Sequence, residues 1–142
     1  MNTAVDRIVE VFQTLTPAGV DTLDTIYAAD ARFKDPFNDV QGLTEIQRIF
    51  RHMYVSLENP HFVVTGRIVQ GSQCFLTWEF RFAFRRFKQG QPQCILGGSH
   101  LLLGGDGRIT LHRDYWDAAE ELYEKLPVLG GLMRWLKSRA NT

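Results

Sequence analysis

The hydrophobic pattern of this chain changes period near Pro60. Before that point apolar residues recur at three- and four-residue spacing, as one face of a helix requires; after it they alternate over long runs, as strands require. A chain that spends its helices first and its hairpins last folds as α+β, with the helices on one face of an antiparallel sheet.

Val5, Ile8, Val9 and Phe12 predict a first helix over residues 3–15, broken by Pro17 and Gly19. Leu23, Ile26 and Tyr27 share one face of a shorter helix over 20–27. Residues 31–34 read as a short extended piece closed by Asp35-Pro36, since the residue before a proline is pushed out of the helical region. Gly42 precedes a third helix over 43–57, with Thr44 as its N-cap and Ile46, Ile49, Phe50, Met53 and Tyr54 as its buried stripe.

Strands are expected over 61–70, 74–87, 93–103 and 109–117. On the second of them Trp78, Phe80, Phe82 and Phe84 fall on one side, and Glu79, Arg81 and Arg85 on the other. Gly71-Ser72 and residues 88–91 form turns, and the three glycines of 104–107 permit the positive φ of a tight hairpin. Helix resumes over 118–126, Pro127 interrupts it, and an amphipathic segment covers 128–139. The 142 residues suit one domain, with a core over about 5–117 and a C-terminal helical extension over 118–142.

Charge narrows the function. Sixteen basic and sixteen acidic residues give a formal net charge of zero, without the surplus of Lys and Arg that phosphate neutralisation needs, so no nucleic-acid partner is expected. Ten Phe and three Trp are many for this length and point to an aromatic core, or to a pocket lined by aromatics. The two cysteines, Cys74 and Cys94, fall on paired strands at unequal distances from the turn, so no disulfide is expected. No His or Cys spacing reads as a zinc site, and no cofactor is expected. The first residues lack the pattern of a secretory signal, and no apolar run approaches the length of a membrane span, so the expected location is cytoplasmic.

Two stretches carry a family resemblance. The run Tyr27-Ala28-Ala29-Asp30-Ala31-Arg32-Phe33-Lys34-Asp35-Pro36, followed by Gly42 and a helix, resembles the matching stretch of ketosteroid isomerases and the wider SnoaL-like families. Gly107-Arg108-Ile109 through His112-Arg113-Asp114-Tyr115-Trp116-Asp117 resembles the final strand of SnoaL-type polyketide cyclases and limonene-epoxide hydrolases. The resemblance implies the nuclear-transport-factor-like architecture: a cone-shaped, curved antiparallel sheet wrapped around N-terminal helices, with an internal apolar pocket. It does not choose among reactions, because this superfamily hosts isomerases, cyclases, hydrolases and non-catalytic scaffolds.

By that resemblance Asp35 matches the general base of the isomerases, a carboxylate whose proton affinity an apolar cavity raises. The plain alternative is an Asp-Pro turn whose side chain binds nearby amides. The isomerases also use a tyrosine and a protonated acid as an oxyanion hole. Here Phe12 stands near the tyrosine and Ser99 at the acid. Asp114 matches the cyclases' general base, and alternation puts it on one face with His112 and Trp116. The turn at 104–107 is expected to set Ser99 opposite His112, on that same face. His112 could relay a proton to Asp114, or be a buried histidine satisfied by a carbonyl. The hydrolases' Arg-x-Asp pair appears reversed, as Glu79 and Arg81, and their tyrosine and asparagine appear as Phe33 and Asp35.

The expected catalytic residues are therefore Asp35, Asp114 and His112. Phe12, Phe33, Trp78, Phe80, Phe82, Ser99 and Trp116 are expected to bind the substrate. The expected function is proton abstraction next to a carbonyl of a small apolar molecule, as in an isomerase or aldol-type cyclase. The alternatives are a non-catalytic binding domain, an epoxide-hydrolase-like activity, or a lipid-associated protein. By resemblance, a homodimer through the sheet face is expected. The stripe Leu129, Leu132, Met133 and Leu136, with Arg134, Lys137 and Arg139 beyond it, either packs on its own domain or touches a membrane surface.

Overall fold

The computed structural model describes residues 2–86 and 90–118. Beyond Ala118, the helices expected over 118–126 and 128–139, and half of the turn at 88–91, lie outside the described residues. The order is α1 (Asn2–Thr14), a 3₁₀ helix (Ala18–Thr25), β1 (Tyr27–Lys34), β2 (Asp39–Gln41), α2 (Leu43–Ser56), β3 (Leu57–Gln70), β4 (Gln73–Phe84), β5 (Gln93–Leu103) and β6 (Ile109–Tyr115). The α+β class expected from the change of period is the observed one.

The strands form a single curved, unclosed sheet in the order β2-β1-β6-β5-β4-β3. From β3 to β6 it is the antiparallel meander that alternation predicts. It is not antiparallel throughout: β1 lies parallel to β6, so the sheet is mixed. The hairpin at residues 35–38 gives one edge of β1 to β2, which the sequence reading missed, and the other edge meets β6 running the same way.

Two further expectations are corrected at the helices. The helix over 20–27 is a 3₁₀ helix that ends at Thr25, and Tyr27 opens β1 instead. The Ile109 amide donates to the Ile26 carbonyl at 2.7 Å, and Tyr27 pairs with Ile109, so sheet pairing takes this residue from the helix. Thr44 does not cap α2; Gly42 does, with φ of 102°, a left-handed conformation that glycine adopts without strain.

Packing follows the apolar stripes. Val5, Ile8, Val9 and Phe12 of α1 are buried, and α2 buries Ile46 and Phe50. Both helices pack on β3, and α2 also packs on β1 and the 3₁₀ helix. Trp78, Phe82 and Phe84 of β4 are buried beneath them. Glu79 and Arg81 are on the other face of β4, where Arg81 donates to Glu79 Oε1 from both Nε and Nη2, at 2.9 and 2.5 Å. Cys74 and Cys94 are not joined in a disulfide; one is registered with Leu101 and the other with Arg81. Among the described residues no helix is long and apolar enough to cross a membrane.

Candidate active site

Between the helices and the inner face of the sheet is a cavity of about 220 Å³. Its wall is mostly aromatic and comes from every layer: Phe12 from α1, Phe33 from β1, Phe50 from α2, Phe62 from β3, and Trp78, Phe80, Phe82 and Phe84 from β4. The rings touch one another in series, with centroids 4.7 Å apart for Phe62 and Phe80, and 5.1 Å for Phe80 and Phe82. Into this wall project Asp35, Ser99, His112 and Asp114, and Trp116 closes it beside Phe37. All ten residues singled out from the sequence line this one cavity. Asn38, His52, Met53 and Phe62 line it as well and carried no sequence signal beyond helical or strand periodicity.

Two side chains meet one oxygen of Asp114 at hydrogen-bond distance. Ser99 Oγ is 2.5 Å from Oδ1, and His112 Nε2 is 2.6 Å from the same atom. Behind them, the Trp78 indole donates to Ser99 Oγ at 2.9 Å, and Tyr27 OH is 2.6 Å from His112 Nδ1. The register explains these contacts. Ser99 stands opposite Asp114, not opposite His112 as the turn chemistry predicts, and Leu101 takes the place facing His112. The hairpin pairs Leu103 with Ile109, then slips by one residue to pair Leu102 with Leu111, and from there the register runs on to set Ser99 against Asp114.

Asp35 closes the turn that was the plain alternative for it, and it also lines the cavity. Its Oδ1 accepts the Phe37 and Asn38 amides at 2.8 and 2.7 Å and the Asn38 side chain at 3.0 Å, the geometry of a side-chain-closed turn. Among the described residues its Oδ2 takes only the Asn38 Nδ2, at 3.1 Å. Burial, opposed by the turn's hydrogen bonds and reinforced by the charge of Asp114, holds its carboxyl above the ordinary aspartate range. The described lining of the cavity contains no Lys or Arg to offset either acid.

Ser99 is the residue that the resemblance sets at the isomerases' acid. Its one proton is directed at Asp114, so it has none to offer an oxyanion. The Glu79–Arg81 pair does not line the cavity. Among the described residues no three His, Cys, Asp or Glu side chains gather as a metal site.

The model of the SnoaL-like domain family matches residues 5–112. A search of curated proteins found no match. Solved structures of similar fold include a provisionally named SnoaL-like polyketide cyclase from Jannaschia, 15% identical with a TM-score of 0.70, the alignment covering 96% of this chain and 93% of that one. An LEH-like epoxide hydrolase from M. tuberculosis is 19% identical with a TM-score of 0.68, covering 94% and 92%. A hypothetical protein of ketosteroid-isomerase-like fold from Catenulispora acidiphila, in complex with trimethylamine, is 19% identical with a TM-score of 0.69, covering 84% and 89%. At these identities the likeness is one of fold.

Proposed function

On the premise that this chain belongs to the SnoaL-like domain family, we propose that its cavity removes a proton next to the carbonyl of a small apolar compound, as an isomerase or aldol-type cyclase does. One observation carries the reading: Asp114 is pinned through Oδ1 by two donors, while Oδ2 has no protein partner among the described residues and the carboxylate faces an aromatic cavity.

In the proposed step the substrate C–H bond breaks, Asp114 Oδ2 takes the proton, and the electron pair moves onto the carbonyl oxygen as an enolate. Asp35, protonated on its less encumbered Oδ2, donates a hydrogen bond to that oxygen. The raised proton affinity of Asp35 suits a donor, and the anchored Oδ1 of Asp114 suits a fixed acceptor. The aromatic walls suit a flat, greasy substrate.

The test is deuterium exchange at the α-carbon of a panel of small aryl and alicyclic ketones in D₂O, followed by NMR. The chain should accelerate exchange for at least one of them. Asp114→Asn should lower that rate by about 100-fold or more, the usual contribution of a general base. A second reading, ligand binding without turnover, is favoured by the hydrogen bonds that hold Asp35 in its own turn. Saturable binding with no exchange in either protein would establish it.

The expected homodimer belongs to the same proposal. Ile68, Leu96 and Tyr115 are 69%, 57% and 46% exposed on the outer face of the sheet, which supports pairing there. Sedimentation of the full chain beside Leu96→Lys tests it: a monomer in both would remove the dimer from the proposal.

A further inference from the structure

Tyr27 is fully buried, does not line the cavity, and among the described residues makes one side-chain hydrogen bond, to His112. The two ring planes are nearly parallel, 8° apart with centroids at 5.9 Å, and the hydroxyl is 2.6 Å from Nδ1, within hydrogen-bond reach. We propose that Tyr27 is a positioning residue that fixes His112 as the neutral tautomer with its proton on Nε2, and thereby fixes Asp114 as the acceptor at the end of two converging donor chains.

The argument is one of proton accounting. A phenol donating to Nδ1 leaves the imidazole proton on Nε2, aimed at Asp114 Oδ1. On the other side Trp78 donates to Ser99, and Ser99 to the same Oδ1. Every donor then has an acceptor. The opposite tautomer turns the Nδ1 proton toward the phenol oxygen. The buried Tyr27 hydroxyl then has no acceptor among the described residues, and a bare Nε2 faces the carboxylate oxygen. Burial, and then the charge of Asp114, holds the Tyr27 phenol well above its ordinary range, so it stays a donor. A buried neutral hydrogen bond of this kind biases the tautomer by roughly tenfold.

The consequence for catalysis rests on the proton-transfer reading above, but the test needs no substrate. Full-length protein labelled with ¹⁵N-histidine is examined by long-range ¹H–¹⁵N correlation at neutral pH, where protonated and bare imidazole nitrogens resonate far apart. The four histidines are distinguished by the loss of one set of signals in His112→Asn. In the wild type His112 should be the Nε2–H form alone. In Tyr27→Phe, which keeps the ring and loses the hydroxyl, the Nδ1–H form should appear, with the preference reduced about tenfold. Phe12→Leu is the control, because Phe12 meets the same imidazole edge-on at 5.7 Å without a hydrogen bond. It should leave the tautomer unchanged.

An Nδ1–H form in the wild type, a pure Nε2–H form in Tyr27→Phe, or an equal change in Phe12→Leu would each overturn the proposal. A ketone panel that shows no exchange while Tyr27→Phe still shifts the tautomer would end the catalytic reading and leave the lock standing.

Discussion

Ser99 Oγ lies 2.5 Å from Asp114 Oδ1 while accepting the Trp78 indole N–H at 2.9 Å. The serine therefore satisfies two buried groups of opposite demand, a donor behind it and a carboxylate in front. Removing it does not simply delete one bond. It leaves the indole N–H without a partner in an aromatic surround, and such an orphan costs about 1–3 kcal/mol. Ser99→Ala should lose that much stability in urea denaturation. In a Trp78→Phe background, where there is no N–H to orphan, the same substitution should cost clearly less. Equal costs in both backgrounds would mean that the indole does not depend on Ser99.

The carboxyl of Asp35 predicts a pH dependence of known sign. Burial, and then the charge of Asp114, raises its proton affinity in the folded chain above the ordinary value of 3.8, despite the turn's hydrogen bonds. From 3.8 up to the raised folded value, the folded chain holds a proton that the unfolded chain has released. Stability therefore falls as pH rises through that window and levels off above it. Asp35→Asn lacks the titrating group, so the difference in stability between variant and wild type should move in the variant's favour across the same window. Urea midpoints measured from mildly acidic to neutral pH check it. Parallel curves for the two proteins would mean that Asp35 titrates alike folded and unfolded.

The sequence made the strand faces legible, and not the partners. Alternation along β4 puts Trp78, Phe80, Phe82 and Phe84 on the cavity side because a strand's period of two is set by its own backbone. Pairing between strands depends on the other strand too. The hairpin closes with Leu103 on Ile109 and slips by one residue before Leu102, so Ser99 meets Asp114 and not His112, and nothing in the local residue types signals it. Tyr27 was missed as a site residue for a related reason. Its apolar spacing fits the preceding helix, and only the long-range pairing with Ile109 draws it into the sheet beside His112. The three residues of β2 are too few to show a period at all.

Gly97 registers with Trp78 and leaves room for its ring. A Cβ added there would stand 2.4 Å from Trp78 Cη2, closer than such atoms approach, and the indole would have to move. Moving it strains the wall of the cavity and pulls Nε1 away from Ser99. Gly97→Ala should therefore cost about 1–3 kcal/mol, the usual penalty of overpacking, in thermal or urea unfolding. It should also weaken binding of an apolar fluorescent probe to the cavity. A variant as stable as the wild type would show that the indole can shift without loss.

The charge of Asp114 acts on Asp35, and Asp114→Asn isolates that influence. An asparagine carbonyl can still accept from Ser99 and His112 at the Oδ1 position, so the hydrogen-bonded chain survives while the charge is lost. With the charge gone, one cause of the raised proton affinity of Asp35 is gone too. Burial remains, so the Asp35 carboxyl should stay above its ordinary value but by less than in the wild type. The pH window over which stability falls should accordingly close at a lower pH in Asp114→Asn, with its lower end unmoved because that end belongs to the unfolded chain. The comparison that reads it is the difference between Asp114→Asn and the double variant Asp35→Asn/Asp114→Asn across the same pH range, set against the wild type and Asp35→Asn. Identical windows in the two pairs would show that the carboxylates titrate independently, and would remove the paired-acid basis of the proposed proton transfer.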